Sequence, residues 1–152
     1  MKKLIIVDII SSLFIILFLY TGIYKMLDLN HFKGALSKSP LLKNIFGEVA
    51  YTLPPLEILV ALFLLIPFFV HQPRLRNWGL YSSSVMMTVF TLYIGYMLAF
   101  RSDRPCTCGG IISQMNWHQH LYFNTMFTFL AFLAIWLNNK QFKQNSQCTA
   151  LA

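Results

Sequence analysis

The sequence predicts an all-α integral membrane protein: a bundle of four transmembrane helices with a short amphipathic segment between helices 1 and 2. Three observations carry that expectation. Charged residues make up only 11% of the 152-residue chain, whereas a soluble domain carries roughly 25% and needs them to coat its surface. Hydrophobic residues make up 57%, and they collect into four runs, each near the ~20 residues that a bilayer-spanning helix requires. Between the runs there is no linker long enough to separate two domains, no repeat and no low-complexity tract. A single four-helix membrane domain over residues 1–152 is the simplest architecture.

The first span covers about 4–24. Lys2 and Lys3 precede it as they would a signal peptide, but its apolar stretch exceeds an ordinary h-region and no small-x-small cleavage site follows. It reads as a retained helix. Residues 28–50 come next, with Phe32, Leu36, Leu41, Leu42, Ile45 and Phe46 interleaved with Lys33, Lys38 and Lys43 around "SKSP". That pattern suits one or two short amphipathic helices at the membrane–water boundary, with the apolar face toward lipid. The second span covers about 51–70, the third about 78–100 and the fourth about 121–137. Trp78, Trp117 and Trp136 fall near span ends, where indoles anchor helices at the interface.

An even number of spans puts both termini on one side. Basic residues divide evenly: Lys2, Lys3, Arg74, Arg76, Lys140 and Lys143 on the terminal side, against Lys25, Lys33, Lys38, Lys43, Arg101 and Arg104. The terminal-side set lies close to span ends in very short segments, where the positive-inside rule weighs most. The expectation is therefore a multi-pass protein of the bacterial inner membrane with both termini cytoplasmic. This topology also accounts for the net charge of +7, which is spread over both faces and does not point to nucleic acid.

The loop at 101–118 contains "RSDRPCTCGG", and on this topology it faces outward. Thiols there meet oxidising conditions and form or exchange disulfides. A bond between Cys106 and Cys108 closes a very small ring across Thr107, which departs from relaxed disulfide geometry. Such strain makes a disulfide labile, as a catalytic or regulatory pair should be. Pro105 stiffens the approach, Gly109 and Gly110 let the backbone turn and another chain come near, and Arg101 and Arg104 favour a thiolate. Two other readings compete. An inert bridge over one residue would constrain little chain entropy. A zinc site could draw on Cys106, Cys108, His118 and His120, although zinc cysteines usually stand two to four residues apart. Cys148 belongs to the opposite tail and reads as a free thiol.

Ionisable groups within spans are costly and informative. Glu57 lies about two turns into the second span and Lys25 at the same end of the first, so the two are placed to pair, with Lys25 reaching inward along its stem. A structural ion pair is one reading; a proton acceptor near the cysteines is the other. Asp8, at the far end of helix 1, is expected to reach the headgroups. In helix 4, His120, Asn124 and Thr128 share one face, and a histidine is the side chain suited to taking or giving protons near neutral pH. Ser84, Thr88, Thr91 and Gly95 form a small-residue face on helix 3, an ordinary packing surface.

Three stretches together resemble the DoxX-like superfamily and, within it, the MauE-type branch associated with redox proteins. They are "YTGIYKMLDLNHF" at 20–32, "PPLEILVALFLLI" at 54–66, and "CTCGG" followed by "HLYFN". The resemblance implies that Cys106 and Cys108 form a redox motif, that Lys25 and Glu57 are the charges of helices 1 and 2, and that Asn124 is the asparagine of helix 4. It also implies thioredoxin-like partners. The loop departs from the branch's Cys-Gly-Cys-Phe-Gly form, and "NWHQH" is an insert.

The sequence thus points to a thiol–disulfide redox protein, or an accessory to one, whose Cys-x-Cys pair exchanges electrons with a thioredoxin-like or client protein. Glu57 and His120 would handle protons. The alternative is a non-enzymatic membrane subunit or assembly factor that binds other envelope proteins through residues 28–50, with a structural cysteine pair. A quinone between the helices is the candidate cofactor, although no residue pattern in the sequence marks a site for one.

Overall fold

The structure is a computed structural model and describes residues 2–37, 39, 41–42, 44–70, 72–100 and 116–150. Among the described residues five helices follow one another: α1 (Lys2–Leu27), α2 (Leu29–Ser37), α3 (Phe46–Phe69), α4 (Pro73–Phe100) and α5 (Trp117–Ala150). Among the described residues there is no strand. Apolar segments without water partners must satisfy their backbone internally, so they become helices. Four of these helices are long and apolar enough to cross a membrane. The 26 residues of α1 span about 39 Å against a hydrocarbon core of about 30 Å, so its ends reach the interfaces.

The four long helices form a ring in which α1 packs on α3 and α5, and α4 packs on α3 and α5. Val7, Ile10, Phe14 and Phe18 of α1 are buried at three- and four-residue steps, one helix face turned inward. They meet Val60, Ala61 and Leu64 of α3, Leu80 and Met87 of α4, and Phe127, Ala131 and Ala134 of α5. Phe14 and Phe127 pack edge to face with ring centroids 5.4 Å apart. On the outer side of α1, Ile5, Ile9, Leu13 and Ile16 are exposed, the expected face toward lipid.

Two glycines set the closest helix approaches. A Cβ at Gly22 of α1 would lie 3.0 Å from Ile58 Cγ1 and 3.1 Å from the Pro54 carbonyl oxygen. A Cβ at Gly79 of α4 would lie 2.8 Å from Leu64 Cδ2 and 3.1 Å from the Leu64 nitrogen. Gly95, which belongs to the small-residue face read from the sequence, has nothing within 4 Å of its Cβ direction. That face instead contributes a hydroxyl contact between helices, Thr91 Oγ1 to Thr128 Oγ1 at 2.9 Å.

Helix starts extend beyond the apolar runs. Pro73 opens α4 at a position where its missing N–H costs nothing. Glu48 occupies the first turn of α3, where the helix dipole favours an acid. At α5, the Asn116 N–H donates to Gln119 Oε1 at 3.0 Å, the reach-back half of a capping box.

The amphipathic segment differs from its lipid-facing expectation. Asp28 caps α2, its Oδ1 accepting from the His31 N–H at 3.3 Å, and the chain turns back over the start of α3. Phe32, Ala35 and Leu36 are buried, and Phe32 and Leu36 cluster with Ala50, Val49 and Leu53. The apolar face of α2 therefore closes one end of the bundle.

Candidate functional site

α1 and α3 run antiparallel, and helical side chains lean toward their own N-terminus. Lys25 therefore leans back along α1 toward Thr21, while Glu57 leans up α3 toward the end where α2 lies. Between them Gly22 lets the helices close on the Pro54 carbonyl. The two charges converge: Lys25 Nζ and Glu57 Oε1 form a hydrogen-bonded ion pair. Lys25 is 6% exposed and Glu57 is 0% exposed, so neither is served by bulk water.

Their remaining faces are furnished by neighbours. Thr21 Oγ1 donates to Glu57 Oε2 at 3.2 Å. The Lys25 ammonium stands 5.5 Å from the Phe32 ring centroid and 5.3 Å from that of Phe90, within cation–π range. The pair is thus wrapped by α1, α2, α3 and α4. Pro54 and Pro55 lie inside α3 and have no N–H to give the carbonyls of Ala50 and Tyr51, one turn back.

Beside the pair is a cavity of about 330 Å³. Its wall is mostly apolar, with Leu17, Phe18, Leu36, Met87, Phe90 and Phe123 among the lining residues, and its polar patch comprises Thr21, Lys25, Glu57, Tyr93, His120 and Asn124. His120 and Asn124 are both buried. Asn124 Nδ2 donates to the His120 carbonyl at 3.0 Å, and among the described residues His120 Nδ1 is buried with no hydrogen-bond partner. Tyr93 donates to the fully buried Ser39 Oγ at 2.9 Å, tying the chain after α2 to α4.

The structure thus gathers Lys25, Glu57, His120 and Asn124 around one space. It does not bring His118 to them. His118 is exposed while His120 is buried, because residues two apart on a helix point to different sides. The His-x-His pair therefore does not converge on one ion, and among the described residues no group of three or more His, Cys, Asp or Glu does so. Cys106, Cys108, Gly109, Gly110 and Arg104 lie outside the described residues. The chain that carries them joins Phe100 at the end of α4 to Asn116 at the start of α5, four residues before His120.

Sequence reasoning did not single out Thr21, Ser39, Tyr93 or Phe90, and it turned Phe32 toward lipid. Thr21 was reachable: it stands four residues before Lys25, on the same helix face. The others come from separate elements and carry no spacing signal.

The profile of the family described as methylamine utilisation protein MauE matches residues 3–137. The chain belongs to the MauE family. The match takes in all four long apolar helices up to Leu137 of α5 and includes every residue of the polar patch. No curated protein and no solved structure matches the chain. With four long apolar helices and membership of the MauE family, the protein is a multi-pass membrane protein. The polar patch of this MauE-family chain sets an ammonium, a carboxylate, an imidazole and an amide around one mainly apolar space.

Proposed function

We propose that the protein is a thiol–disulfide redox component of the bacterial inner membrane, with both termini cytoplasmic and Cys106 and Cys108 as the exchanging pair. The pair passes electrons to or from a thioredoxin-like or client protein on the outer side. One observation carries the reading: the buried Lys25–Glu57 pair and His120 collect around one cavity, at the bundle end where the cysteine segment joins α4 to α5. Forming a disulfide from two thiols releases two protons along with two electrons. Glu57 and His120 are groups that accept protons, and Arg104 beside the cysteines favours the thiolate that attacks.

Thiol trapping in intact cells tests this. A membrane-impermeant maleimide should label Cys106 and Cys108 only after mild reduction. Cys106→Ser or Cys108→Ser should leave one sulfur that traps a mixed disulfide with the partner. Equal labelling before and after reduction, or none in either state, would overturn the reading.

A further inference from the structure

The electrons of a Cys106–Cys108 pair need a destination. Among the described residues the membrane-spanning segments contain no cysteine. Cys148 lies in the distal part of α5, 28 residues beyond His120 by numbering, which is about 42 Å along a helix. No thiol relay is at hand, but the cavity is.

Its chemistry narrows what fits. The volume of about 330 Å³ falls in the range of small-molecule sites, which are mainly apolar with a few placed polar groups. The apolar wall asks for a ring or a lipid-soluble body. Thr21 and Tyr93 already donate to Glu57 Oε2 and Ser39 Oγ, so the donors that face a ligand are the Lys25 ammonium, the Asn124 amide and the His120 imidazole, whose buried Nδ1 has no partner among the described residues. An anionic head would meet the Glu57 carboxylate, so the ligand is uncharged and offers hydrogen-bond acceptors. Val89, 56% exposed, also lines the cavity, so the space reaches the lipid-facing surface and a membrane-dissolved molecule can enter from the side.

We propose that this cavity binds a lipid-soluble quinone, with a ring carbonyl held by the Lys25–His120–Asn124 patch and the tail leaving past Val89. Resting on the thiol–disulfide reading above, the quinone is the oxidant of the cysteine pair. The two thiols lose two electrons and two protons and form the Cys106–Cys108 sulfur–sulfur bond. The quinone gains the same two electrons and two protons, and its carbonyl oxygens become hydroxyls. Protons pass to the ring oxygens through His120 and Glu57.

The test uses the full chain in lipid nanodiscs, with ubiquinone and menaquinone analogues carrying one isoprene unit as probes. Saturable binding, read by quenching of aromatic fluorescence, is expected for the wild type and equally for Cys106→Ser/Cys108→Ser. His120→Ala should weaken it roughly tenfold, as expected for one lost hydrogen bond in a dry site. Ala35→Phe, which puts a ring into the cavity, should abolish it while helical circular dichroism is unchanged. Which analogue binds more tightly identifies the native pool. The dithiol form should then reduce one quinone per disulfide formed. No saturable binding, or binding indifferent to both substitutions, overturns the proposal. Binding that survives without any electron transfer from the cysteines leaves the site standing and overturns the redox step, while failure of the thiol–disulfide reading itself shows separately, as loss of the trapped mixed disulfide.

Discussion

The bundle carries a polar cluster at each end, and the two are built on opposite terms. At the end closed by α2, Lys25 and Glu57 are sealed among helices and border a cavity. At the other end, Arg76 of α4 lies 3.5 Å from Asp8 of α1, with the two side chains 21% and 43% exposed. Arg76 also donates to Asn138 Oδ1 of α5 at 2.7 Å, and Asn138 Nδ2 donates to Asn77. None of these residues lines the cavity. The second cluster pins three helices together within reach of headgroups and water, where an ion pair contributes little. The first holds a charge pair where a lost partner cannot be replaced by solvent. The charge pair beside the cavity is kept where water does not compete; the clamp is not.

That contrast can be broken most forcefully at the buried pair. Glu57→Ala leaves the Lys25 ammonium unpaired, and a loss of about 3–5 kcal/mol is expected, read as a fall in the thermal unfolding midpoint in nanodiscs. Lys25→Met combined with Glu57→Met should recover most of it, since both charges are then gone. If the single and double variants lose the same stability, the pair is not the desolvated unit described.

Next in size are the glycine contacts, one toward each end. Gly22→Val drives a side chain into Ile58 and the Pro54 carbonyl, and overpacking of this kind costs about 1–3 kcal/mol. Gly79→Val meets the Leu64 side-chain tip and backbone nitrogen and should cost a similar amount. Only Gly22→Val should also perturb quinone binding, because only that contact sets the distance between Lys25 and Glu57. Equal effects on binding would show that the two ends are coupled.

At the clamp, Asn138→Ala removes a buried amide that bridges Arg76 and Asn77, for an expected cost of about 1–2 kcal/mol. Asp8→Asn should change the unfolding midpoint least, by an amount equivalent to about 0–1 kcal/mol. A change at Asp8 as large as that at Glu57 would erase the distinction between the ends.

Much of the fold was legible because a bilayer imposes one dominant rule. Hydropathy located all four spans, and the cost of intramembrane charge drew attention to Lys25 and Glu57 before any contact was known. Helical periodicity put His120, Asn124 and Thr128 on one face, and two of the three are buried. Start positions were less legible where polar caps extend a helix past its apolar run. "NWHQ" reads as loop by hydropathy, yet Asn116 and Gln119 form the cap that begins α5. Asp8 lies at the headgroup end as its position in helix 1 suggests, but its partner, Arg76, is 68 positions away by numbering and carries no spacing signal. Residues 28–50 showed their amphipathicity but not which way their apolar face turns.

The sequence by itself determined the membrane class, the number of spans and the polar residues that must face inward, because each follows from transferring one segment at a time out of water. Only the tertiary structure decided which glycine lets which helices touch, that α2 caps the bundle, and that Lys25, Glu57, His120 and Asn124 share a cavity. Those outcomes depend on close packing between segments far apart in the chain, and a cavity is the space left between such segments. No single segment encodes it.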